Sequence, residues 1–159
     1  MDIRIKRLCE GDPLGDTVGQ WLYEEFARPS ESADFFKSLV ACGSGADGLP
    51  AAFAAYADGQ PAGAVLLQRA DLMSRQDLWP WLACIYVRPQ YRGLHIGAQL
   101  QLELCRYAAE HGFGRVYLYT DLINYYEKTG WIYAGQCVEC DGSAKQLFYR
   151  DTEAAHDGR

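Results

Sequence analysis

Apolar residues in this chain change their period several times, and each change marks an element. Ile3 and Ile5 alternate with Arg4 and Lys6, the two-residue repeat of a half-buried strand over 2–9. After Pro13 the repeat lengthens to three and four residues through Leu14, Val18, Trp21, Leu22 and Phe26, which predicts a helix over 13–27. A second helix over 31–42 is opened by Ser30 or Ser32, and Gly43-Ser-Gly-Ala-Asp-Gly48 follows as a loop. Residues 51–57 and 61–69 flank Asp58-Gly-Gln-Pro61, so they read as antiparallel strands joined by a tight turn. The apolar run 78–87, bounded by Pro80 and Pro89, suits a buried strand and is too short to span a membrane. Ile96, Leu100, Leu104, Tyr107 and Ala108 restore the helical period, giving a helix over 97–111 that Gly112 and Gly114 end. Val116 and Leu118 then alternate with Tyr117 and Tyr119 in a strand over 115–120. A short helix over 122–129 and a hairpin of 131–139 with 144–150 complete the order β-α-α-β-β-β-α-β-α-β-β. The pattern predicts one α/β domain over 1–151 and a polar, frayed C-terminal tail over 152–159.

The junction between the 78–87 strand and the following helix carries the clearest chemistry. Residues 87–98, Val-Arg-Pro-Gln-Tyr-Arg-Gly-Leu-His-Ile-Gly-Ala, lead an apolar strand into an amphipathic helix through a basic, glycine-containing turn. The first turn of a helix has N–H groups without intrahelical acceptors and carries the positive end of the macrodipole, so a phosphate can be held largely by main chain. Arg92 adds a guanidinium fork beside that cradle.

Composition narrows the classes. With 159 residues, 49% hydrophobic and 13% aromatic, the chain is long and apolar enough for one core. The formal net charge of −6 argues against general nucleic-acid binding and fits a cationic acceptor better. The charge-alternating N-terminus reads as a strand rather than a signal peptide, and no apolar run reaches the roughly 20 residues of a membrane span, so a cytoplasmic protein is expected. Six cysteines are present, but only Cys137 and Cys140 have a C-x-x-C interval. No second pair and no suitably spaced histidine accompany them, so no metal is expected and reduced thiols are.

Val87-Arg-Pro through Tyr91-Arg-Gly-Leu-His-Ile-Gly97-Ala98 resembles the acetyl-CoA-binding motif of the GNAT N-acetyltransferase superfamily, Gln/Arg-x-x-Gly-x-Gly/Ala. Arg92 fills its first position and Gly97 its last, while His95 stands where a glycine is usual. Tyr126-Glu-Lys-Thr-Gly130-Trp131 is similar to the family's Tyr-Glu-Lys-x-Gly-Phe segment, at a fitting distance. The resemblance implies a mixed, mostly antiparallel central sheet flanked by helices, and transfer of an acetyl group from acetyl-CoA to a small-molecule or protein amine. A non-catalytic acyl-CoA-binding sensor of the same fold is the alternative.

By the same resemblance, main chain at Ile85, Tyr86 and Val87 would pair with the pantetheine arm. Arg92, Gly93, Leu94, His95, Ile96, Gly97 and Ala98 would hold the pyrophosphate, with Asn124 also on the cofactor. Tyr126 would protonate the departing thiolate, with its neighbour Tyr125 as the alternative one register away. His95 is either a tolerated solvent-facing side chain or a phosphate donor. Many relatives carry a carboxylate on the strand before the loop, whereas here it reads Trp79-Pro-Trp-Leu-Ala-Cys-Ile-Tyr-Val87. Water, Asp121 and Glu24 or Glu25 are left as candidate bases. Cys84 is a conceivable acetylated nucleophile, but strand burial raises a thiol's pKa and favours direct transfer. The acceptor pocket is expected from Ala27-Arg-Pro-Ser-Glu31, the pre-loop strand and the last hairpin, with Tyr23, Phe26, Trp79 and Trp81 as candidate walls. A homodimer is left open.

Overall fold

The computed structural model describes residues 1–153. Strands are β1 (Ile3–Leu8), β2 (Ala51–Ala57), β3 (Gln60–Gln68), β4 (Trp81–Val87), β5 (Arg115–Thr120), β6 (Ile132–Val138) and β7 (Ala144–Asp151). Helices are α1 (Gly15–Phe26), α2 (Ala33–Ala41) and α3 (Ile96–Glu110), with single 3-10 turns at Pro89–Tyr91 and Tyr126–Thr129. The strands make one open sheet in the order β1-β2-β3-β4-β5-β7-β6. Every neighbouring pair is antiparallel except β4 and β5, so the expected mixed, mostly antiparallel α/β architecture is present.

Side-chain alternation assigns the two faces. Phe53, Val65, Leu67, Leu82, Val116 and Leu118 pack against Ile96, Leu100 and Leu104 of α3. The intervening residues Ala52, Ala54, Ala64, Leu66 and Ala83 meet Val18 and Leu22 of α1 and Phe36 and Val40 of α2. β2 is therefore buried on both faces, which explains why its sequence is a continuous apolar run. Burying a Leu or Phe side chain contributes about 1.5–3 kcal/mol, so these two layers supply most of what holds the sheet in place.

α1 and α2 approach so closely that a Cβ at Gly19 would stand 2.7 Å from the Lys37 Cα. Gly19→Ala is expected to cost about 1–2 kcal/mol net, because the forced separation of the helices outweighs the roughly 1 kcal/mol gained in helix propensity. Chemical denaturation of the two proteins checks the difference. α2 is capped by Ser32, whose Oγ accepts from the Phe35 N–H at 3.1 Å, which settles the choice between the two serines.

Three expectations are corrected. The predicted helix over 122–129 is only the 3-10 turn Tyr126–Thr129. Thr120 Oγ1 accepts from the Leu122 N–H, and Asn124 takes a left-handed φ of 55°, so the chain cannot wind helically before Tyr126. The strand predicted from residue 78 begins at Trp81, since Leu78 is held in a turn by its N–H to the Arg75 carbonyl and Pro80 has no N–H to give a ladder. Thr152, predicted to be frayed, donates its N–H to the Gly114 carbonyl at 3.0 Å. The rest of the predicted tail, residues 154–159, lies outside the described residues.

Candidate active site

A defect in the sheet creates the site. β4 and β5 share a single register pair, Trp81 with Tyr117, and beyond it the β4 main chain has no partner on its β5 side among the described residues. On its other side the pairing with β3 shifts register between Ala64 and Leu66, opposite Cys84 and Ile85. Cys84 sits there with a φ of 51°, a left-handed conformation that a bulge imposes on a residue with a side chain. The bulge places both Ala83 and Cys84 on the face covered by α1 and α2, while Ile85 and Val87 pack toward α3. Together the splay and the bulge open a slot through the middle of the sheet, walled by the main chain of Ile85, Tyr86 and Val87.

On the α3 side the slot ends at the predicted anion cradle. The Gln99 N–H is the first in the helix to find an acceptor, on the His95 carbonyl, so the N–H groups of Ile96, Gly97 and Ala98 have none among the described residues. A Cβ at Gly97 would meet nothing closer than the Tyr125 hydroxyl and Val87 Cγ2, both 4.0 Å away, and one at Gly93 would meet nothing within 4 Å. The cradle is thus open to an incoming anion. Arg92 donates from Nε to the Val87 carbonyl at 2.9 Å and lies over the Tyr86 ring, which leaves its terminal nitrogens to face a ligand. Arg88 is held differently, bonded to the Pro61 carbonyl at 3.0 Å and stacked on Trp21 and Tyr91.

His95 and Leu94 are exposed, and His95 stands immediately before α3 with a φ of 59° and no capping hydrogen bond from its side chain. The glycine usual at this position is therefore a conformational requirement that His95 meets under strain. A left-handed L-residue costs about 1–2 kcal/mol, more than the 0.5–1 kcal/mol of entropy a glycine gives up. His95→Gly is expected to raise the melting temperature slightly, by the equivalent of up to about 1 kcal/mol. Differential scanning calorimetry reads that difference.

The two tyrosines before Gly130 have different environments. Tyr126 is buried among Trp131 and Phe148, with ring centroids 6.2 and 6.3 Å away, whereas Tyr125 is exposed and stands edge-on to it at 4.9 Å. Burial first, and Tyr125 second, push the Tyr126 phenol up to about 12. Its hydroxyl makes no hydrogen bond to a described residue, yet among the described residues no fully buried side-chain polar atom lacks a partner, so that hydroxyl reaches open space. Asn124, next to them in the chain, is exposed and left-handed.

The α1–α2 side of the sheet carries a polar, acidic cavity. A cavity of about 370 Å³ is lined by Tyr23, Glu24, Ala27, Arg28, Pro29 and Glu31, at the α1–α2 connection expected to form the acceptor pocket. Arg28 donates from Nη2 to Glu139 Oε1 at 2.7 Å and from Nη1 to Cys140 Sγ at 3.2 Å, tying the α1–α2 connection to the β6–β7 turn. Glu139 is buried, and a further carboxylate, Asp71 on the β3–β4 connection, lies within electrostatic range of both partners. Burial first, then Glu139, push Asp71 up to about 7 against the opposing pull of Arg28. Cys84 is driven up to about 12 by burial and then by Asp71 and Glu31, so it is a thiol rather than a thiolate. Tyr119 of β5 is also raised, by burial and then by Asp71 and Glu139.

Several candidates fall away from this site. Trp81 is fully buried against Tyr117 and Tyr119, with its indole N–H on the Leu78 carbonyl at 2.7 Å, so it is core and not a pocket wall. Phe26 and Trp79 are exposed and do not line the cavity. Asp121 is held by Lys145 at 2.5 Å, on the exposed rim, and Glu24 accepts from Gln20 while lining the cavity. Asp71 and Glu139 escaped the sequence reading, because neither carries a local pattern and tertiary packing alone brings them to Arg28. Among the described residues no three His, Cys, Asp or Glu side chains converge as a metal site would require, and all six cysteines are free.

The Acetyltransferase (GNAT) family model matches residues 16–131, and the chain belongs to that family. No curated protein sequence matches it. Among solved structures, an aminoglycoside 6'-N-acetyltransferase complexed with coenzyme A is similar with a TM-score of 0.71 at 18% identity, over 97% of this chain and 99% of that one. A GNAT-family protein from Desulfovibrio desulfuricans gives 0.70 at 19% identity, over 96% and 100%. The ribosomal-protein-S18-alanine N-acetyltransferase from Escherichia coli gives 0.66 at 19% identity, over 99% of each chain. At these identities the likeness is one of fold.

Proposed function

We propose that this protein transfers an acetyl group from acetyl-CoA to a primary amine by direct attack, with Tyr126 as the general acid. The observation that carries the reading is the splay between β4 and β5, with an unpaired N–H cradle at the start of α3 on one side of the sheet and an acidic cavity at the α1–α2 connection on the other. One side suits a pyrophosphate and the other a cationic amine. Arg92, Gly93, Leu94, His95, Ile96, Gly97 and Ala98 would hold the diphosphate, Asn124 would flank it, and the free edge at Ile85, Tyr86 and Val87 would pair with the pantetheine arm. An N–H of that edge would polarise the thioester carbonyl.

Bond changes then follow simply. The amine lone pair attacks the acetyl carbon, the carbon–sulfur bond breaks, the thiolate takes the Tyr126 proton, and the nitrogen gives its extra proton to the resulting phenolate, leaving the N-acetyl amine and coenzyme A. Cys84 remains protonated and out of the reaction. The test is thermal shift with acetyl-CoA, followed by thiol release on an aminoglycoside, 1,4-diaminobutane, benzylamine and an alanine-initiated peptide. Amine-dependent thiol release is expected. Acetyl-CoA binding without release on any of these amines would favour an acyl-CoA sensor instead.

A further inference from the structure

We propose that Glu139, in the β6–β7 turn, sets the charge preference of the acceptor cavity: by cancelling Arg28 it leaves that cavity to favour acceptors carrying a second positive charge beyond the reacting amine, an assignment that rests on the acetyl-transfer reading above. Arg28 is the one cationic side chain among the described residues that line the cavity. Left bare, a guanidinium at that place would recognise a carboxylate or phosphate on the acceptor. Its terminal nitrogens are already taken. Nη2 donates to Glu139 Oε1 at 2.7 Å and Nη1 to Cys140 Sγ at 3.2 Å, so an acceptor's carboxylate would form a two-bonded fork only by displacing them.

Glu139 is held in place. It is buried, and its turn is closed by the Glu139 N–H on the Ser143 carbonyl at 2.9 Å and the Gly142 N–H on the Glu139 carbonyl at 3.0 Å. Drawing Arg28 away would leave a buried carboxylate unpaired, which costs more than a new surface pair returns. The pair therefore stays closed, and the charge the cavity offers an acceptor is that of Glu24 and Glu31. Glu24 Oε1 accepts from Gln20 Nε2 at 3.0 Å, and Glu31 Oε2 from the Arg28 main-chain N–H at 2.9 Å. The second oxygen of each has no partner among the described residues and can take an N–H of an ammonium.

The cavity has the size and the place for the far end of such an acceptor. About 370 Å³ lies within the range of small-molecule sites, roughly 300–1,000 Å³. Tyr23 and Ala27 of its wall pack on the same apolar layer as Cys84 and Tyr86 of β4, and the Trp21 ring stands 6.0 Å from that of Tyr86. An acceptor whose reacting amine lies at the free edge of β4 would extend its far end toward the α1–α2 connection. Glu24 is exposed and Glu31 half-buried, so water and salt screen both carboxylates and hold the preference to about 10-fold.

The experiment compares kcat/KM, at saturating acetyl-CoA and one pH, for linear primary amines of four, six and eight carbons that differ only at the far end: methyl, ammonium or carboxylate. The wild type should prefer the ammonium end to the methyl end about 10-fold at the length that spans both places, beyond the twofold due to two equivalent amines, and should disfavour the carboxylate end. In Glu139→Gln the amide can still accept the Arg28 hydrogen bond but no longer cancels its charge. The ratio of ammonium-ended to carboxylate-ended rates should then fall about 10-fold or more. Arg28→Met combined with Glu139→Met removes both charges together, and the wild-type preference should return. A loss of packing alone would not reorder the acceptors by charge. Should Glu139→Gln fail to fold, Glu31→Gln decides, by lowering the ammonium-to-methyl ratio about threefold or more. Asp34→Asn, which removes the same charge from the exposed first turn of α2 outside the cavity, should leave that ratio unmoved. A wild-type ratio that is only statistical at every length, or an unmoved ratio in Glu139→Gln, would overturn the assignment while leaving acetyl transfer intact. Absence of thiol release from the wild type on every acceptor would overturn the acetyl-transfer reading itself.

Discussion

Replacing Tyr126 with phenylalanine is expected to lower kcat about 100-fold, with acetyl-CoA binding and folding unchanged. The ring would stay where it is, packed between Trp131 and Phe148, and only a hydroxyl without a protein partner would be lost. Because burial pushes that phenol up to about 12, it is protonated throughout the physiological range and always holds the proton it would give. The sign follows directly: Tyr126 should impose no loss of activity on the alkaline side until about pH 12. Tyr125→Phe gives the contrast. Its hydroxyl stands 4.0 Å from where a Gly97 Cβ would be, beside the cradle rather than under α3. That substitution should weaken acetyl-CoA binding and leave kcat within a few-fold. If instead Tyr125→Phe abolished turnover and Tyr126→Phe did not, the proton donor would be Tyr125. Steady-state kcat and KM for the two variants decide between them.

Gly97→Glu should lower acetyl-CoA affinity about 100-fold, roughly 2.7 kcal/mol, while the ligand-free protein becomes no less stable. The two effects separate because they arise at different places. A side chain at Gly97 has room in the empty fold, with nothing nearer than 4.0 Å to its Cβ. An acidic residue in the first turn of α3, which has none, also interacts favourably with the helix dipole by about 0.3–1 kcal/mol. That same carboxylate would lie across the unpaired N–H groups of Ile96 and Ala98 and repel a pyrophosphate. Isothermal titration with acetyl-CoA, alongside a melting curve of the ligand-free variant, measures both.

What the sequence disclosed and what it concealed follow a physical division. α3 was legible because Ile96, Leu100 and Leu104 repeat with the helix, and its glycine-bearing entry announced a helix N-terminus. β2, β3, β5 and β7 were legible from alternation or from unbroken apolar runs between turn residues. The bulge at Cys84 was not, since a cysteine in left-handed geometry has no sequence signature and only the register shift against β3 reveals it. Asn124 illustrates the same blindness: a short helix was read across a residue whose φ of 55° forbids one. The cradle could be named residue by residue, being made from one continuous stretch. The acidic side could not, because Arg28, Asp71 and Glu139 come from three separate connections and meet only through packing.

Acetyl transfer through the β4–β5 slot is tested most directly by a single-turnover experiment with enzyme in excess over acetyl-CoA and a panel amine present. One coenzyme A thiol and one N-acetylated amine should form for each acetyl-CoA consumed, with no thiol released when the amine is left out. Thiol release that proceeds equally without amine, or bound acetyl-CoA that survives intact beside every amine, would contradict it.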